Sequence, residues 1–170
     1  MDATSRRESI LVAVNQSTIP LSASLLAENL NVSRQLVVGD IAILRAQGHE
    51  IIATARGYTG YKESKQFLRK IACQHTPDDT RKELYIIVDL DAAVVSVTVE
   101  HEMYGEITGQ LNIKDREDVD LFIKQLESSE VKLLSELTAG IHLHTIACRD
   151  KDHFEQVCQS LDAAGYLYKN

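Results

Sequence analysis

A chain of 170 residues, 44% of them apolar and 25% charged, has the length and core-forming content for one ordinary domain or two small ones. That balance excludes a fibre, a disulfide-stapled miniprotein and a long disordered chain. The net charge of −7 would argue against a nucleic-acid partner if it were evenly spread, but residues 1–73 carry nine Lys or Arg against six Asp or Glu, whereas residues 74–170 carry nine against nineteen. A front of +3 and a rear of −10 imply two modules with different partners. Cys73, Cys148 and Cys158 are odd in number and form no CxxC pair, so neither a disulfide framework nor a thiolate zinc ribbon is indicated and a reducing compartment fits. The first residues lack the apolar stretch of a signal peptide, and no segment approaches the roughly 18 apolar residues of a membrane span. The expectation is a soluble, cytoplasmic protein with no membrane partner.

In chain order, Ile10, Leu11 and Val14 follow a helical period after Arg6 and Arg7, and the pattern breaks between Asn15 and Pro20. Ser22 can cap a second helix with Leu26, Ala27 and Leu30 on one face, and Leu21 stands where a hydrophobic staple to Leu26 would form. After the short Asn31-Val32 turn, Ser33 caps a third helix in which Val37, Ile41 and Leu44 recur until Gly48 ends it. Two helices joined so tightly form a helix-turn-helix, whose second helix can enter the major groove. The residues expected to face the groove are Arg34, Gln35, Val38 and Gly39, with the Ser33 hydroxyl and the helix N-terminus near phosphate. Arg and Gln are the side chains that pair bidentately with guanine and adenine edges, and Val38 could touch a thymine methyl. Ile51-Ile52-Ala53-Thr54 and Tyr58-Thr59-Gly60-Tyr61 read as two short strands around Ala55-Arg56-Gly57, a wing with Arg56 at its tip. Lys62, Lys65, Arg69 and Lys70 beyond it offer phosphate contacts.

Leu21-Ser22, Leu26-Ala27, Val32-Ser33-Arg34, Val37, Asp40-Ile41, Leu44-Arg45 and Gly48 together resemble the winged helix-turn-helix of bacterial repressors similar to the biotin repressor. The resemblance covers residues 1–61 and implies double-stranded operator DNA as a partner. Gly39 departs from it, standing where many relatives carry a polar or basic side chain.

Residues 62–74 read as a linker helix with Phe67, Leu68, Ile71 and Ala72 apolar, ended by Pro77. Strands are expected over 84–90 and 93–101, the second alternating Val95, Val97 and Val99 against Ser96, Thr98 and Glu100. A further strand is expected over 105–111 and an amphipathic helix over 115–126, with Glu117 and Asp118 in its first turn. Residues 131–138 and 141–148 read as a hairpin over Ala139-Gly140, 152–163 as a last helix ended by Gly165, and 166–168 as an edge strand. The fold class is α+β: a winged helix-turn-helix followed by an α+β sandwich, residues 75–170, with a largely antiparallel sheet and helices on one face.

His142 and His144 lie two apart on a strand and so share a face. Further donors must come from elsewhere; the loop supplies His75, and Glu83 follows where the strand over 84–90 is expected to begin. Gln74-His75-Thr76-Pro77, Glu83-Leu84, His142-Leu143-His144 and the run of strands resemble the 3H domain, which in niacin-responsive repressors of NAD biosynthesis and niacin uptake follows a winged helix in this order. Ser33-Arg34-Gln35 and Arg56-Gly57-Tyr58 also look typical of that family. The resemblance spans almost the whole chain and places the family's metal ligands on His75, Glu83, His142 and His144. It implies a homodimer with nicotinic acid as corepressor. Three imidazoles and one carboxylate suit a divalent transition metal, with zinc or nickel the leading candidates, rather than calcium or magnesium. Nicotinic acid, carrying a carboxylate and a pyridine nitrogen, could bind at an open position on or beside that metal. His101 is a candidate ligand-binding residue, and Cys73, two before His75, reads as a buried helix cysteine. The competing readings are a repressor that senses the metal itself and a metal-dependent hydrolase. Against the hydrolase, the sequence contains no nucleophile elbow, phosphate loop or HExxH.

Overall fold

The computed structural model describes residues 1–61 and 66–169. The chain divides into two compact units, Met1–Ser64 and Lys65–Asn170.

The front unit is built by capped helices. Asp2 accepts the free N–H groups of Thr4 and Ser5 to start α1 (Ala3–Gln16), Ser22 accepts Leu25 N–H at 3.1 Å to start α2 (Ala23–Leu30), and Ser33 accepts Leu36 N–H at 3.2 Å to start α3 (Arg34–Ala46). Asn31 makes the tight turn between α2 and α3 by taking the left-handed conformation, φ 52°. Ile10, Val14, Leu26, Val37, Ile41, Leu44 and Ile51 close one core. Within it Asp40 is buried, held by Arg6 through Nε at 2.6 Å and Nη2 at 3.3 Å, with Arg7 at 3.6 Å. Part of the front's positive charge therefore neutralises an internal carboxylate beneath α3.

The wing is β1 (Ile51–Thr54) paired antiparallel with β2 (Gly57–Gly60), and Leu21 extends it by exchanging two 2.8 Å backbone hydrogen bonds with Tyr58. That approach explains Gly57. Its φ of +135° is one that side chains rarely adopt, and an added Cβ would stand 2.4 Å from the Leu21 carbonyl.

In the rear unit a four-stranded, wholly antiparallel sheet runs in the order β3 (Phe67–Gln74), β6 (Ile141–Cys148), β4 (Ala93–His101), β5 (Gly105–Ile113). Ile71, Cys73, Val94, Ile146 and Cys148 from the sheet meet Leu84, Ile87 and Val88 of α4 (Thr80–Asp89), Val119 and Ile123 of α5 (Arg116–Glu127), and Val157 and Leu161 of α6 (Lys151–Ala163). The architecture is the expected α+β, and among the described residues no helix is long and apolar enough to cross a membrane.

Four local expectations are overturned. The segment 84–90 is not a strand but most of α4: its buried set Thr80, Glu83, Leu84, Ile87 and Val88 follows a 3.6 period that the run Leu84-Tyr85-Ile86-Ile87-Val88 disguises. The described part of the linker helix over 62–74 is instead β3, where Ile71 and Cys73 alternate inward and every residue from Phe67 to Gln74 pairs with β6. Arg69 and Lys70 thus lie on a strand, with the Arg69 guanidinium 4.1 Å over the Phe67 ring, while Lys62 and Lys65 lie outside the described residues. The segment 131–138 is no hairpin partner: it forms a 3-10 turn over Leu134–Thr138, begun by Glu136 accepting Leu133 N–H at 2.7 Å. The segment 166–168 does run along the outer edge of β3, its Leu167–Cys73 bridge framed by backbone hydrogen bonds from Gln74 N–H to the Tyr166 carbonyl at 2.8 Å and from Tyr168 N–H to the Ala72 carbonyl at 3.0 Å. In β4 a bulge between Val94 and Ser96 shifts the phase, so Val94 replaces Val95 in the core while Val97 pairs with His144.

Gly57→Ala should lower stability by about 2–3 kcal/mol in chemical denaturation, because the methyl meets rigid backbone rather than a movable side chain. Unchanged stability would mean that Leu21 does not hold the wing as described.

Candidate metal centre and nucleic-acid interface

Glu83, in the first turn of α4, points into the sheet with 1% of its side chain exposed. His142 and His144 leave β6 on the same face and reach it: His142 Nε2 lies 3.2 Å from Oε1 and His144 Nε2 3.2 Å from Oε2. His75, in the loop after β3, brings its Nε2 to 2.7 Å from Oε2. All four side chains are at most 4% exposed. The structure thus gathers every residue that the sequence reading assigned to the metal.

The opposite edge of each imidazole fixes its tautomer. Nδ1 of His75 faces the Thr76 carbonyl at 2.8 Å, Nδ1 of His142 the Gly140 carbonyl at 2.8 Å, and Nδ1 of His144 the Ser96 carbonyl at 3.2 Å. Carbonyls only accept, so each Nδ1 donates and the neutral ring turns its Nε2 lone pair toward Glu83. In that neutral state three nitrogen lone pairs and two carboxylate oxygens converge on one spot, which a shared cation, or protons added to Nε2, would bridge. Separations of 3.2 Å are those of two ligands each about 2.1 Å from a shared ion. The residues fit a divalent transition metal.

Without an ion, a proton on Nε2 of His75 or His144 takes its part. Burial pushes the Glu83 carboxyl up, but the facing His144 and the hydrogen bonds from His142, His144 and His75 outweigh it and hold the group well below the usual carboxylate range. Burial would lower His75 and His144, yet Glu83 raises both above the ordinary imidazole value.

Two spaces adjoin the cluster. One of about 30 Å³, the size of a single water or an ion, is lined by the three imidazoles, Glu83, Thr80, Val97 and Ser135 among others. Thr80 Oγ1 is buried there without a hydrogen-bond partner. The other is an open groove of about 550 Å³ between Gln74-His75-Thr76-Pro77 and Ser135, Glu136, Ala139 and Gly140, sharing His75 and Ser135 with the first. Gly140 lets the two segments meet, since at φ +87° a Cβ would stand 2.3 Å from the His75 carbonyl oxygen.

His101 is not part of this cluster. It ends β4, four residues or about 13 Å beyond Val97, and its Nδ1 accepts the N–H groups of Met103 and Tyr104 at 3.2 and 3.4 Å. That is the work of a loop-closing side chain.

On the front unit, Ser33, Arg34, Gln35 and Gly39 are exposed along one side of α3, as the groove-facing reading requires. Val38 differs: it is half-buried and leans on the core. Leu36, 41% exposed beside Arg34 and Gln35, was not foreseen as a surface residue and offers an apolar contact of the kind thymine methyls take. Arg56 sits in the turn between β1 and β2, its backbone N–H bonded to Thr54 Oγ1 at 3.1 Å.

Comparison with known proteins places these two units together. Residues 6–61 match the HTH domain and residues 68–170 the 3H domain. Transcription repressor NadR of Bacillus subtilis (strain 168) is 40% identical over 169 residues, covering 97% of this chain and 94% of its own length. The chain belongs to the 3H-domain family. A second relative, the probable transcription repressor NiaR of Thermotoga maritima, is 38% identical over 162 residues, covering 95% of this chain and 93% of its own. The cluster around Glu83 and the groove beside it both fall within the 3H domain.

The raised values of His75 and His144 set a sign. Their protons, held by Glu83, stabilise the metal-stripped fold fully below the ordinary imidazole value of 6.5, and that contribution is lost as pH rises through the raised values. Metal-stripped protein should therefore lose thermal stability as pH climbs above 6.5, and zinc should restore it by replacing the protons. A pH profile of Tm unaltered by His144→Gln would contradict this.

Proposed function

We propose that the protein is a transcription repressor of NAD-related genes that binds double-stranded operator DNA as a homodimer and responds to nicotinic acid through a divalent transition metal, zinc or nickel. The observation that carries the metal part is the convergence of three imidazole Nε2 atoms on the buried Glu83 carboxylate, each imidazole oriented from behind by a backbone carbonyl. When bound, the metal supplies a positive charge and an open coordination position to an anionic ligand.

The two neighbouring spaces divide the work by size. The 30 Å³ cavity suits the ion, and the 550 Å³ groove lies in the range for a small molecule. A flat aromatic acid lying in the groove can direct its carboxylate past His75 and Ser135 toward the ion, and the unpartnered Thr80 hydroxyl can donate to an oxygen there.

For DNA, the support is the capped α3 with Ser33, Arg34 and Gln35 exposed at its N-terminus, where phosphate and base edges are met. One such helix covers only a few base pairs, so two copies reading paired half-sites give usable specificity. The names of the relatives from Bacillus subtilis and Thermotoga maritima support the repressor reading over a hydrolase.

The test is operator affinity by fluorescence anisotropy with metal and nicotinate varied independently. Nicotinate should tighten binding roughly 5–150-fold only when metal is present, as coupling of about 1–3 kcal/mol implies. His144→Ala should keep basal DNA binding and lose the response. A response to metal alone would favour a metal sensor, turnover of a bound ligand would favour an enzyme, and equal nicotinate affinity by calorimetry with and without metal would overturn the metal-anchored effector.

A further inference from the structure

The donor set around Glu83 extends one residue beyond the four assigned above. Cys73 stands on β3 directly opposite His142 on β6, so the two side chains leave the sheet on the same, helix-covered face. Cys73 is fully buried, and its Sγ, a Glu83 carboxylate oxygen and a His142 ring nitrogen all lie within 4.8 Å of one another. Ligands of one ion, with bonds of about 2.1 to 2.3 Å, lie within such a distance of one another. Glu83 and His142 also line the small cavity beside Thr80, whose buried Oγ1 has no hydrogen-bond partner, an independent sign of a missing polar occupant.

We propose that Cys73 is a further ligand, giving the ion a sulfur donor beside the imidazoles and Glu83. This rests on the metal reading of the site. On binding, the S–H bond breaks, the sulfur lone pair forms the bond to the metal and the proton leaves to solvent, with no change of oxidation state. A thiolate beside imidazoles favours zinc, cobalt and nickel over manganese or magnesium, so Cys73 contributes to metal choice. A thiolate ligand would also take up one coordination position, which would leave fewer for an effector and favour one contact from its carboxylate over two.

X-ray absorption at the zinc edge of the metal-loaded full chain reads this directly. The expected result is one sulfur neighbour at about 2.3 Å with nitrogen and oxygen neighbours at about 2.0–2.1 Å. In Cys73→Ser the sulfur shell should vanish while the nitrogen shell remains. Cobalt-loaded protein should show a near-ultraviolet thiolate-to-cobalt charge-transfer band that both Cys73→Ser and Cys73→Ala abolish. A wild-type site fitted by nitrogen and oxygen alone overturns the assignment to Cys73 and leaves the four-ligand site standing. A sulfur shell that survives in Cys73→Ser overturns it in favour of another cysteine. If wild-type protein binds no zinc, the metal reading itself fails and takes this one with it.

Discussion

A carboxylate with 1% of its side chain exposed is the constraint on which the rear unit turns. An ionised Glu83 with no compensation would cost several kcal/mol, and beyond its favourable place in the first turn of α4 the compensation comes from other segments. It comes from His75 in the loop after β3 and from His142 and His144 on β6, so three segments distant in sequence must meet at one point. The sheet makes this possible because β3 and β6 are paired along their length, which sets the end of β3 beside the HxH segment. Gly140 then removes the one methyl that would hold His75 away. Site and fold are the same arrangement here: to misplace Glu83 is to lose the packing of α4, and to supply a cation is to stabilise both.

The front unit repeats the principle on a smaller scale. Asp40 faces inward from α3 and is held bidentately by Arg6 of α1, which fixes the recognition helix against the core. The consequence for charge is specific. Arg6 and Arg7 are engaged with an internal carboxylate, so the +3 counted over the front of the chain overstates what can meet phosphate. Attraction to DNA must draw on fewer groups, on the proposed reading chiefly the α3 N-terminus with Arg34 and the wing, and its salt dependence should be correspondingly shallow. The −10 rear, by its sign, repels phosphate and leaves the front to make the contact.

Much of this was legible in the residues themselves. Ser22 and Ser33 are cap residues followed by apolar positions at helical spacing, and such local signals survive tertiary context, whereas the Asp2 cap of α1 was not read. His142 and His144 fall on one face of a strand by the simple period of two. Where the reading failed, the signal was ambiguous rather than absent. Leu84-Tyr85-Ile86-Ile87-Val88 is a continuous apolar run that serves a buried strand or a helix equally, and Phe67 to Gln74 carries good helix formers yet pairs as a strand because β6 needs an edge partner. The second of these had a consequence: a helical 62–74 hid Cys73 as an ordinary core residue, whereas on β3 it faces His142. Gly140 and Thr80 were invisible because their parts are a close backbone approach and an unpartnered hydroxyl, which exist only once distant segments have met.

The central claim is that Glu83 is buried to hold a metal. Elemental analysis of protein purified without chelators, wild type beside Glu83→Gln, tests it most directly, because the amide keeps the size of the side chain and removes its charge. One transition-metal ion per wild-type chain and almost none in Glu83→Gln is the expected result, with circular dichroism confirming that the variant is folded. Metal-free wild-type protein that takes up no zinc on titration, or a folded Glu83→Gln that keeps its metal, would contradict it.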